Sequence, residues 1–143
     1  MAHPLDPLSA EEISLAAEAC KAYAEKAGVG PLRFNSIALQ EPKKADLLAF
    51  DAGAAPAPPR AAACVLHAPP RRGSIEALVA LPSGKVADWK HLEGVEPLAS
   101  PDDCLEAEAV ARADPEVQRL LRERYDVGDL DLVQFDPCGF DCV

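Results

Sequence analysis

No apolar run in this 143-residue chain reaches the roughly 20 residues that a membrane-spanning helix needs, because charge or proline interrupts each one. A membrane span is therefore not expected, and the chain reads as soluble. The opening, Met1-Ala2-His3-Pro4-Leu5-Asp6, lacks a basic segment followed by an apolar one, so no secretory signal is visible and folded sequence is expected almost at once. The closing Asp141-Cys142-Val143 is not a peroxisomal tripeptide. Basic charge is also scarce. A net charge of -10 argues against a nucleic-acid partner, since that binding needs a basic patch to displace counterions from phosphate. The five cysteines, at 20, 64, 104, 138 and 142, include no CxxC pair. An odd count without a signal segment points to reduced thiols in the cytoplasm and away from a disulfide framework. Cys138 and Cys142 are the one close pair; with no histidine beside them, an exposed tail is the better reading than a zinc or redox site.

The charge that is present is unevenly spread. Residues 1–92 hold ten acids and ten Lys/Arg, whereas residues 93–143 hold fourteen acids and four Arg. Such a step predicts a boundary between structural units, giving domains at 1–98 and 99–143. In the first, Ser9 and Glu12 form a capping box flanked by a Leu8/Ile13 staple, so a helix starts at Ser9. Ile13, Ala16, Ala17, Cys20, Ala24 and Ala27 recur at helical spacing, and Gly28 sits where a left-handed cap would end the helix. Five strands are then expected, at 32–39, 45–51, 60–67, 74–81 and 85–92, separated by Pro- and Gly-bearing turns. Connections this short favour antiparallel neighbours. The predicted fold class is α+β: one helix lying across a bent antiparallel sheet, in a cystatin-like roll. In the second domain, Ser100-Pro101 and Asp114-Pro115 each announce a helix, with Val117, Leu120 and Leu121 as the apolar stripe of the latter. Residues 130–135 read as a single strand with no partner strands after it, so this unit is expected to be a truncated copy, helical but loosely held.

Several of these stretches, in this order, resemble copper amine oxidases. His3-Pro4-Leu5-Asp6-Pro7-Leu8-Ser9-Ala10-Glu11-Glu12-Ile13 is similar to the start of that family's second, N2, domain. Arg33-Phe34, Glu41-Pro42-Lys43-Lys44, Leu48-Ala49-Phe50-Asp51 and Pro59-Arg60-Ala61 resemble its first strands, and Trp89-Lys90-His91 its last. Arg112-Ala113-Asp114-Pro115 and Asp129-Leu130-Asp131-Leu132-Val133 with Asp136-Pro137 are similar to the start of the third, N3, domain. Family members continue Asp-Pro-Trp where this chain has Asp136-Pro137-Cys138, and 139–143 matches nothing in the pattern. The departure points to a fragment or a shortened product.

The resemblance implies a homodimeric enzyme that converts a primary amine, dioxygen and water into an aldehyde, ammonia and hydrogen peroxide. Its two centres would be topaquinone, made from the tyrosine of an Asn-Tyr-Asp/Glu motif, and copper held by three histidines, two of them in a His-x-His pair. Neither motif is present. Tyr23 lies in Ala-Tyr-Ala and Tyr125 in Arg-Tyr-Asp, while His3, His67 and His91 stand alone, His3 at an end expected to be mobile. No catalytic, cofactor-binding or metal-binding residue is therefore assigned, and neither copper nor topaquinone is expected on this chain. Amine substrate would be met through a catalytic domain absent from these residues. Trp89 reads as a core or interface anchor in place of a substrate platform, and the carboxylates at 102–108 as helix-start charge. The working location is the cytoplasm, with the peroxisome open for a full-length protein. The other function class left standing is a free α+β interaction or dimerisation module with no enzymatic activity.

Overall fold

The computed structural model describes residues 3–137, which divide between Pro97 and Leu98 into two units. Cys138, Cys142 and the rest of 138–143 lie outside the described residues. In the first unit, helix α1 (Ala10–Lys26) starts as the capping box requires: Ser9 Oγ accepts the Glu12 amide at 3.2 Å, and Glu12 Oε2 accepts the Ser9 amide at 3.0 Å. It ends in a Schellman turn. The Val29 amide donates to the Ala24 carbonyl at 2.8 Å, the Gly28 amide to Glu25 at 3.2 Å, and Gly28 takes the left-handed φ of +66° that the turn demands. Ala16, Cys20 and Ala24 are buried, with Leu15 and Ala19 packed beside them. Ile13, expected on that stripe, is 40 % exposed; Leu15 packs on the core in its stead, and Leu8 joins it without the expected staple burying Ile13.

Strands β1 (Arg33–Leu39), β2 (Ala61–His67), β3 (Ser74–Ala80) and β4 (Lys85–Leu92) form one antiparallel meander in the order β1-β2-β3-β4. Alternation fixes which side of each strand faces the helix. Ala62, Cys64 and Leu66 of β2 and Ile75, Ala77 and Val79 of β3 form the inner row, and α1 touches all four strands. Burying side chains such as Leu66, Ile75 and Val79 contributes about 1.5–3 kcal/mol each before entropy is counted. Alanines at 16, 24, 62 and 77 let the helix sit close to the sheet. Each outer strand carries one extra residue, Asn35 in β1 and Ala87 in β4, where the register slips between Phe34/Ser36 and opposite Leu78/Val79.

The strand expected at 45–51 is a helix, α2 (Lys44–Asp51), so the sheet has four strands and not five. Its Lys, Ala, Asp, Leu and Phe include no β-branched residue, and Ala and Leu favour helix. Gly53 is its cap: at φ +69° its amide donates to Phe50 and that of Ala54 to Ala49, both at 2.8 Å.

The second unit holds α3 (Pro101–Ala113) and α4 (Pro115–Tyr125), each starting where its cap predicts. Ser100 and Asp103 form a second capping box, and Asp114 Oδ1 accepts the amides of Glu116 at 2.7 Å and Val117 at 3.1 Å. Val117, Leu120 and Leu121 are half-buried, as the stripe predicts. The strand expected at 130–135 is not one. Asp129 caps a 3-10 turn at Leu130–Leu132, and no described strand lies beside residues 133–137 to complete a ladder. Arg112 holds this segment, donating to the carbonyls of Leu130 and Val133 at 2.9 Å and lying 5.3 Å from the Phe135 ring.

Candidate functional site

Polar chemistry in the first unit converges on Arg60, the residue before β2. Its Nε donates to Glu12 Oε1 at 2.9 Å and its Nη2 to Glu12 Oε2 at 2.8 Å, a two-pronged pair with side chains 19 % and 24 % exposed. Nη1 also donates to the carbonyls of Asp6 at 3.0 Å, Pro4 at 3.2 Å and His3 at 3.5 Å, and Nη2 to Pro7 at 3.2 Å. The Arg60 hydrogen bonds, then the Ser9 amide, hold the Glu12 carboxyl down to about 2. The same contact with Glu12 raises Arg60. Both groups stay charged at neutral pH, so the arrangement straps residues 3–7 to α1 and β2 and offers no proton to exchange.

The three histidines are each held in a separate place. His3 Nδ1 accepts the Leu5 amide at 3.2 Å, which leaves Nε2 as the protonated nitrogen, 3.2 Å from Asp51 Oδ1. Its ring stands edge-on to Phe50 at 5.7 Å. His91 Nε2 donates to the Arg72 carbonyl at 2.9 Å, and His67 closes β2 opposite Arg33. No group of three or more His, Cys, Asp or Glu that could hold a metal occurs among the described residues. A donor set this dispersed does not fit a copper centre.

The tyrosines are equally far from a cofactor setting. Tyr23 stacks on Trp89 at 4.6 Å with its ring tilted by 30°, and Trp89 packs against the core. Tyr125 ends α4 and is 68 % exposed. Of the carboxylates at 102–108, Asp103 closes the capping box with Ser100, and Glu108 pairs with Arg112 at 2.8 Å. On the sheet face away from α1, a hollow of about 320 Å³ is lined by Gln40, Val65, Glu76, Leu78, Asp88 and Lys90. Lys90 is already paired there with Asp88 at 2.8 Å. Sequence reasoning missed the part played by Arg60, since its partners lie 48 residues and more away. The available signal was Glu12, an acid whose capping duty uses one oxygen and leaves the other for a cation.

A helix strapped by one arginine across a four-stranded antiparallel meander is an α+β domain. The family model for the copper amine oxidase N2 domain matches residues 3–92. The chain is 41 % identical over 138 residues to the primary amine oxidase of Arthrobacter sp. (strain P1), covering 96 % of this chain and 20 % of that protein. It is 33 % identical over 147 aligned positions to copper amine oxidase 1 of Schizosaccharomyces pombe, covering 99 % of this chain and 20 % of that one. The crystal structure of a copper-containing benzylamine oxidase from Hansenula polymorpha shares the fold, with a TM-score of 0.65 and 24 % identity over 85 % of this chain and 20 % of its own. This chain belongs to the copper amine oxidases, matching their amino-terminal, non-catalytic region, and it spans about a fifth of the length of the curated relatives it matches.

Proposed function

We propose that residues 1–143 serve as amino-terminal scaffold for a copper- and topaquinone-dependent primary-amine oxidase and do not themselves oxidise amines. Residues 1–98 act as the N2-type domain, and residues 99–143 as N3-type sequence. The single observation that carries this reading is the match of residues 3–92 to the N2 domain in a chain whose sequence holds neither Asn-Tyr-Asp/Glu nor His-x-His. The reaction, amine plus dioxygen and water to aldehyde, ammonia and peroxide, is that of the full-length homodimer. No described helix is long and apolar enough to cross a membrane. The free thiols of Cys20 and Cys64 favour a reducing compartment, the cytoplasm or the peroxisome.

Copper content by elemental mass spectrometry, hydrazine titration of any quinone and amine-dependent peroxide release test this directly on the purified 143-residue protein. All three are expected at background. Stoichiometric copper together with a hydrazine-reactive quinone would overturn the reading.

A further inference from the structure

We propose that the start of β3 is a latch for the chain leaving the sheet: Gly73 and Ser74 hold residues 95 and 96 in place, so the first unit closes at Pro97, beyond the family match that ends at 92. The ladder itself ends with Ser74 opposite Leu92. Gly94 then takes a left-handed φ of +71°, and the chain turns back to the β3 corner. Two hydrogen bonds meet it there, Ser74 Oγ donating to the Val95 carbonyl at 2.7 Å and the Gly73 amide to Glu96 Oε1 at 3.2 Å. A third steadies the corner against β4, with His91 Nε2 donating to the Arg72 carbonyl at 2.9 Å.

The corner is built for this contact. Ser74 is 4 % exposed and is the one buried polar side chain among the described residues, so its hydroxyl would lose its partner inside the unit if Val95 moved off. Gly73 is fixed by space. At its φ of +92°, a Cβ would stand 2.4 Å from the Leu92 carbonyl oxygen and 3.2 Å from His91 Nε2, so only glycine lets the two strand ends come this close. The segment being held is different, since residues 93–96 are all exposed. Hydrogen bonds hold it, with no buried apolar side chain of its own. A segment held in that way opens locally and recloses while the sheet stays folded. Opening would release residues 93–97 as slack, roughly 17 Å of added reach at the usual length of an extended residue. The latch therefore sets how much free chain follows the sheet.

The test is native-state cleavage of the full 143-residue chain by a protease specific for glutamate, with the rate of cutting after Glu93 followed beside that after Glu76. Glu93 reports the latch, whereas Glu76 lies within β3 and is cut only when the sheet itself opens. Ser74→Ala is expected to raise the Glu93 rate by about tenfold, the effect of one lost buried hydrogen bond on a local opening equilibrium, with the Glu76 rate unchanged. Glu96→Ala alters an exposed position and leaves the sheet intact, and it is expected to raise the Glu93 rate in the same selective way. A Glu93 rate that neither variant alters, or that rises only in step with the Glu76 rate in both, would overturn the proposal.

Discussion

The first helix of each unit begins with the same device, and the two units then part over what their helices bury. Ser9 with Glu12 and Ser100 with Asp103 are both reciprocal capping boxes. Behind the first stands a row of fully buried residues from Ala16 to Val79, whereas no described residue of the second unit is fully buried. Leu98, Leu105, Val110 and Leu132 are 64–80 % exposed. Caps and local ion pairs, such as the exposed pair of Arg119 with Glu116 at 2.6 Å, suffice to specify where α3 and α4 lie, but in solvent they add little to stability. A core is a different order of effect, and the sheet supplies it on one side of residue 97 only.

Core truncation should separate the two units most widely. Leu66→Ala is expected to cost about 2–5 kcal/mol of first-unit stability in denaturant melts, while Leu105→Ala in the second unit should stay within about 0.5 kcal/mol. Equal effects would break the contrast. Arg60→Ala comes next, at about 1–3 kcal/mol, because it strands the Glu12 carboxylate and four carbonyls.

The same pair sets an acid limb. Glu12 is held at about 2 in the folded state and returns to an ordinary carboxylate value on unfolding, so its contribution is fully present above the unfolded pKa of about 4.3 and is lost as pH falls toward 2. Melting temperatures between pH 7 and pH 2 should therefore fall less steeply for Glu12→Gln than for wild type. An unchanged slope would show that the strap does not report on folding.

Proteolysis sharpens where the contrast begins. Ser74 Oγ donates to the Val95 carbonyl at 2.7 Å and the Gly73 amide to Glu96 Oε1 at 3.2 Å, so residues 95–96 are tied to the start of β3. First cuts are expected at 98–100, just beyond those ties, and the second unit should be cleared before the first. Smallest of all, Ser100→Ala should cost about 1 kcal/mol of local helix stability, visible as lost far-ultraviolet helicity with little change in the main melt.

Legibility tracked the range of the interaction. The capping box at Ser9, the stop at Gly28, the strand expected at 60–67 and both helix starts after residue 98 are local patterns, and the structure keeps all of them. The 45–51 segment failed because Leu47 to Phe50 is a continuous apolar run that carries no period, so strand and helix looked alike; Gly53 held the answer as a cap. The 130–135 segment is apolar at Leu130, Leu132, Val133 and Phe135, but a strand exists only through a neighbour, and none is described beside it. Cys20 was readable as a position in an apolar stripe; that Arg60 reaches Glu12 depends on how α1 lies over β2.

The two extra residues in the outer strands decide how this domain can be joined to anything else. At each border of the sheet a visiting strand would lose step with the ladder, at Asn35 on one side and Ala87 on the other. Lengthening the sheet sideways is thus obstructed at both margins.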